Sequence, residues 1–246
     1  MRTRRTTLAI ECALPRAVRR GYSPVMSRLR VHSLAMSLDG YVAGPAQSED
    51  DPLGVGGMSL HDWVFVTRTG RKIIGQDGGA TGLDDDLLAR GFDGIGATIM
   101  GRNMFGPARG DWGPEPWRGW WGDDPPFHHP VFVLTHHPRP PLALGGGTTF
   151  HFVSDGIESA LAQAVAAANG RDVRLGGGAA TVHQYLRAGL VDDLHVAVVP
   201  VLLGDGERLF VDLGEWPHGY VAAQVSSSGA VAHFHLTRKP GGAGAE

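Results

Sequence analysis

The sequence predicts a layered α/β domain with a mixed sheet, closed by an antiparallel hairpin. Short apolar strands alternate with amphipathic helical stretches through most of the chain. Residues 220–225 and 230–237 read as strands flanking Ser227-Ser228-Gly229, a hairpin signal. A chain of 246 residues with 42% hydrophobic content suffices for one large core, and no repeat or linker divides residues 27–240.

The first strand follows Arg28, where Leu-Arg-Val-His-Ser-Leu-Ala-Met alternates with period 2 until Asp39-Gly40 supplies turn chemistry. Tyr41–Ala43 resumes it briefly, residues 44–57 form a glycine-rich loop, and a helix is predicted over 59–75. A second helix opens at Leu83, where Asp84, Asp85 and Asp86 complement the positive end of its dipole. Ile95–Met100 is a strand. Residues 107–130 are dense in proline and hold Trp112, Trp117, Trp120 and Trp121, which predicts an ordered loop covering a pocket or an interface. Val131–Thr135 and Thr149–Val153 are strands. Asp155 is expected to cap a helix running to Asn169, with Ile157, Leu161, Ala164, Val165 and Ala168 on one face. Asp172–Leu175 is a strand, residues 176–178 a turn, Ala179–Ala188 a helix, and Leu194–Leu202 a buried strand.

Composition narrows the function classes. The longest apolar runs, such as Val196–Leu203, fall far below the roughly 20 residues that span a bilayer. A lone Cys12 excludes an intramolecular disulfide framework and a multi-cysteine metal site. Residues 1–25 carry six arginines against Glu11, a net of +5, which leaves −8 for the remainder of a chain of net charge −3. Such an acidic body disfavours binding to nucleic-acid phosphates. Arg4-Arg5 faintly suggests a twin-arginine signal, but Glu11 and Pro15 interrupt any apolar core region, which should run about 7–15 residues. Residues 1–26 are therefore expected to be a basic extension outside the fold, with translation starting at Met1 or Met26, and the protein is expected to be cytoplasmic.

Three strand-to-helix junctions suit phosphate. In Asp172-Val-Arg-Leu-Gly-Gly-Gly-Ala-Ala-Thr a strand runs through three glycines into a helix, which lets an anion approach bare backbone and helix N–H groups. A tight packing turn is the alternative; neither a Rossmann fingerprint nor a P-loop fits. In Thr98-Ile-Met-Gly-Arg-Asn-Met-Phe, Gly101 permits close approach and Arg102 offers a guanidinium suited to bidentate phosphate contact, with an ordinary solvent-facing arginine as the alternative. In Val131-Phe-Val-Leu-Thr-His-His-Pro-Arg, Thr135, His136 and Arg139 emerge beyond an apolar strand. The pairs His128-His129 and His136-His137 lack the accompanying ligands of a metal motif, so no metal is expected.

Taken in order, Ser37-Leu-Asp-Gly-Tyr-Val-Ala-Gly, Met100-Gly-Arg-Asn-Met-Phe-Gly, Val131-Phe-Val-Leu-Thr, Leu175-Gly-Gly-Gly and the long segment from Gly189 to Phe210 resemble the dihydrofolate reductase-like superfamily. Within it, the chain is similar to the reductase (C-terminal) domain of the bacterial bifunctional riboflavin deaminase-reductase, over about residues 28–237. The resemblance implies a three-layer fold with a central mixed, mostly parallel sheet, binding NADPH across the strand ends. Gly176, Gly177, Gly178 and Ala179 would cradle the pyrophosphate. Arg102, beside Gly101 and Asn103, would hold the adenosine 2′-phosphate with Thr135 and His136, and backbone at Ala35 and Ala43 would contact the nicotinamide amide. Asp85 and Asp39 are the candidate proton sources, with a solvated helix-start acid and a turn former as their alternatives, and Trp63, otherwise a core residue, is a candidate to stack on a flat substrate. The zinc deaminase signature is absent. The expected activity is hydride transfer to a pteridine-like or ribosylaminopyrimidine-like small molecule, in a homodimer; the alternatives are dihydrofolate reduction and NADP binding without turnover.

Overall fold

The structure, a computed structural model, describes residues 27–107, 110–114, 116–211 and 219–239; the expected N-terminal extension lies outside the described residues. In chain order the elements are β1 (Leu29–Ser37), β2 (Tyr41–Ala43), α1 (Asp62–Phe65), α2 (Arg68–Ile73), α3 (Leu83–Arg90), β3 (Ile95–Gly101), α4 (Arg102–Phe105) and β4 (Pro130–Leu134). They continue with β5 (Leu142–Ala143), β6 (Thr149–Val153), α5 (Ile157–Ala167), β7 (Asp172–Gly177), α6 (Ala179–Arg187), β8 (Asp193–Val199), β9 (Glu207–Arg208), β10 (Tyr220–Ser227) and β11 (Ala232–Arg238).

Nine strands form one sheet in the order β10-β11-β8-β1-β7-β3-β4-β6-β5. Its centre, from β8 across to β6, is parallel, and antiparallel pairs close both ends. This is the mixed, mostly parallel sheet with a C-terminal hairpin that the sequence predicts. The short strands β2 and β9 pair separately. Among the described residues, no helix is long and apolar enough to cross a membrane.

Helices cover both faces. Val173, Leu175, Leu194 and Val196 pack with α5 and α6, while Ala197 and Val199 pack with Leu60, Trp63 and Leu88 on the other face. Strand alternation divides the two sets. β1 breaks that alternation: Val31 pairs with Leu194 but Leu34 with Val196, so one extra residue is inserted, and Ser33 adopts a positive φ of 55°. A one-residue bulge flips the side chains beyond it. Val31 accordingly faces the α5/α6 core, whereas Ala35 faces Trp63 and Leu88.

Four expectations need correction. The helix over 59–75 is broken into a 3-10 turn, α1 and α2, because buried Thr67 takes extended backbone and its hydroxyl accepts from the Gly70 N–H as a new N-cap. Gly156, with φ 100°, occupies the N-cap of α5, and Asp155 instead accepts from the Ser159 hydroxyl. The buried stripe of that helix is Ala160, Ala164 and Ala168, while Val165 faces outward. These alanines allow close approach to β3, where a Cβ on Gly96 would lie 2.3 Å from the Ala168 carbonyl oxygen. Finally, β8 ends at Val199, and Leu202 is 72% exposed.

Candidate functional site

Parallel strands leave their carboxyl ends and the following loops to build a ligand site. Here those ends border a cleft of about 710 Å³. All the backbone and side-chain positions expected to meet a dinucleotide lie on its wall. Ala35 lies near the carboxyl end of β1, Ala43 ends β2, and Gly176, Gly177, Gly178 and Ala179 join β7 to α6. Gly101, Arg102 and Asn103 join β3 to α4, with Thr135 and His136 following β4.

The glycines have different employments. A Cβ on Gly178 would meet nothing within 4 Å, so that position opens onto free space. The first turn of α6 contains no acidic residue, which leaves its positive end uncompensated. Gly101 is required for another reason than ligand approach: a Cβ there would lie 2.2 Å from the hydroxyl of Thr181 in α6. The Gly177–Gly178 peptide is cis.

Arg102 is held rather than free. Its Nη1 donates to the Thr135 hydroxyl at 3.3 Å, and its guanidinium lies 3.7 Å from the centre of the Trp112 ring. Arg139 approaches the same ring at 4.6 Å. Burial, and then the Arg102 charge, lower the Arg139 pKa. The proline-rich segment thus serves the site: Trp112 braces two cations, Trp120 and Trp121 line the cleft, and Trp117 donates to the Phe105 carbonyl at 3.0 Å.

The three residues expected on the substrate side lie elsewhere. Asp39 accepts from the Ser37 hydroxyl at 2.5 Å and from the N–H groups of Leu203 and Gly204 at 3.2 and 2.7 Å. The Ser37 bond chiefly holds its pKa at about 2, so it pins a loop. Asp85 is buried and accepts from the Thr69 N–H at 2.7 Å and from Arg68 at 3.3 Å. Burial opposes its charge, but the Thr69 and Arg68 donors outweigh that and lower its pKa. Asp85 therefore ties α3 to α2. Trp63 is core, edge-on to His233 at 5.4 Å. None of the three lines the cleft.

Sequence reasoning missed other groups that line the cleft. His32, His61, Leu88, Phe92 and Arg174 border the cleft. Burial lowers the pKa of both His32 and His61, which keeps them neutral at pH 7. It also missed a cluster drawn from three strands, in which ligand atoms of His32, Asp193 and His235 come within 4.8 Å of one another. Its carboxylate is already engaged: Arg28 pairs with one oxygen of Asp193, and the other lies 2.6 Å from His235 Nε2 and 3.4 Å from His32 Nε2. Burial opposes the Asp193 charge, but His235 and His32 hold its carboxyl well below the usual range.

A second chain of bonds fixes the neighbouring imidazoles. Asp84 only accepts, so His233 Nε2 donates to it at 3.0 Å. His233 Nδ1 then accepts from His195 Nε2 at 3.0 Å, and His195 Nδ1 accepts from the bulged Ser33 N–H at 3.2 Å.

The profile of the RibD C-terminal domain family matches residues 31–229. A curated relative, the uncharacterized protein YyaP of Bacillus subtilis, is 41% identical over 44 residues, which are 18% of this chain and 23% of that protein. Among solved structures, a Shewanella sp. PV-4 protein named for riboflavin biosynthesis aligns with a TM-score of 0.56 at 20% identity, covering 87% of this chain and all of that one. A pyrimidine reductase-like protein of Corynebacterium diphtheriae aligns at 0.51 and 13% identity, covering 87% and 92%. The Thermotoga maritima diaminohydroxyphosphoribosylaminopyrimidine deaminase/5-amino-6-(5-phosphoribosylamino)uracil reductase aligns at 0.51 and 12%, covering 87% of this chain and 57% of that one. At these identities the likeness is one of fold.

Proposed function

This chain belongs to the RibD C-terminal domain family, and on that premise we propose that it is an NADPH-dependent reductase of a small heterocyclic substrate, pteridine-like or ribosylaminopyrimidine-like, in riboflavin-type chemistry. The observation that carries this reading is the convergence of three strand-end groups on one cleft: the Gly176–Ala179 turn, Arg102 and Thr135. The open space at Gly178 and the uncompensated helix end suit a pyrophosphate, and Arg102 suits a 2′-phosphate.

When bound, the cofactor supplies the hydride. The chain aligns the reactants and excludes water, which by itself lowers a barrier substantially. Ala35 and Ala43 place backbone beside the cleft, and Leu88 and Phe92 add apolar surface to it. With Asp39 and Asp85 outside the cleft, His61 and His32 are the imidazoles left to serve the proton step; burial keeps both neutral, so the proton that follows the hydride comes from solvent and is relayed through one of these rings rather than stored on it.

The test is a titration with NADPH and NADH, followed by NADPH oxidation assays against dihydrofolate, pterins and ribosylaminopyrimidines. Arg102→Ala removes a charge-assisted contact worth about 1.5–3 kcal/mol, so NADPH affinity drops roughly 10- to 150-fold while NADH is little changed. Absence of any NADPH or NADP⁺ binding by folded protein overturns the reading.

A further inference from the structure

We propose that Arg174 forms an anion-binding site on the floor of the cleft, apart from the strand-end phosphate groups, and that it selects a planar-ring substrate bearing a carboxylate or phosphate. The substrate half rests on the reductase reading above; the anion site does not.

Arg174 lies in β7 between Val173 and Leu175, both buried against α5 and α6. Alternation sends its side chain to the opposite face, where it borders the cleft. Its guanidinium lies 4.4 Å from the centre of the Phe92 ring, just beyond α3. Phe92 borders the same cleft, as do Leu88, Val64 and Ile73, so the cation stands among apolar walls.

The acceptors nearby serve another arginine. Arg30, paired with Arg174 across the β1–β7 ladder, donates to the Asp93 and Arg90 carbonyls at 2.9 and 2.7 Å and to Asp172 at 3.3 Å. Arg174 Nε, by contrast, is buried with no hydrogen-bond partner, and among the described residues no carboxylate forms an ion pair with Arg174. Burial and then the Arg30 charge lower its pKa to about 10, which leaves it charged at neutral pH. Its surroundings shed positive charge instead: burial, then Arg171 and Arg174, hold His129 near 4.

A half-buried cation with no ion-pair partner and a buried, unsatisfied Nε is costly, and a pair formed with a ligand recovers that cost in bidentate form. Phe92 and the aliphatic walls fit a flat ring, and Arg174 fits its anionic substituent.

The test follows the Arg174 Nε–H resonance in the ¹⁵N-labelled full chain, assigned by its loss in Arg174→Lys. Inorganic phosphate and benzoate are titrated separately, against chloride at matched ionic strength. The expected result is a saturable shift with one or both anions and none with chloride; phosphate alone points to a phosphate ester, benzoate alone to a carboxylate. In an Arg102→Ala background, which removes the strand-end phosphate contact, Arg174→Gln weakens the shifting anion at least tenfold by calorimetry. An unmoved resonance with both anions, or affinities within twofold in Arg174→Gln, overturns the site. Failure to bind NADPH would sink the reductase reading while leaving this result decidable.

Discussion

Replacing His195 with Gln should flatten the acid sensitivity of folding. Burial first, then the charges of His32, His233 and His235, hold the His195 pKa at about 3, against 6.5 for an ordinary imidazole. The folded protein keeps the ring neutral while the unfolded chain takes up a proton below about pH 6.5. Stability is therefore lost as pH falls from about 6.5 toward 3, and the loss stops growing below 3. At pH 5.0 the unfolded imidazole gains about 1.5 pH units of protonation free energy, or about 2 kcal/mol. Urea denaturation at pH 7.5 and 5.0 measures this directly. His195→Gln carries no titrating group, so its stability should fall between the two pH values by about 2 kcal/mol less than that of the parent. An equal fall in both proteins would show that the buried imidazole is not held neutral.

Four further substitutions separate structural from ligand-binding roles. Gly101→Ala brings a Cβ to 2.2 Å from the Thr181 hydroxyl and should cost roughly 1–3 kcal/mol. Thr181→Ala should restore most of that in the double variant, because the Thr181 Cβ lies 3.4 Å away; thermal melts of the four proteins decide it. Asp85→Ala leaves the Thr69 N–H without its acceptor and should lower stability by about 1–3 kcal/mol with unchanged NADPH affinity. A stable Asp85→Ala protein with abolished turnover would return that carboxylate to catalysis. Gly178→Ala meets no atom and should melt normally, yet its methyl group enters the cleft and should weaken NADPH at least tenfold; undiminished binding would place the cofactor elsewhere.

The sequence displayed the sheet well and the cleft in part. Strands such as Thr149–Val153 and the hairpin follow from local alternation and turn residues, which act over a few neighbours. The strand-end turns were legible because a run of glycines between strand and helix, and an arginine at a helix start, are local signals. What escaped depends on distant residues. The bulge at Ser33 has no turn signature, because the misfit with β8 that defines it lies 160 residues away in the chain. Asp85 was a candidate by family resemblance, and its anchoring role stayed hidden because Thr69 falls inside the helix predicted over 59–75; only the break at Thr67 frees that N–H. Arg174 carried a signal: a charge within a strand of the core, two residues before the glycines, where an apolar residue was to be expected.

Trp112 has one further consequence. Its indole is shared by Arg102 and Arg139, and the excited state of such a ring responds to the charge beside it. A ligand phosphate that draws Arg102 toward itself therefore alters the emission of a native chromophore. Occupancy of the nucleotide end can be followed by emission, with Trp112→Phe separating its share from that of the other five tryptophans.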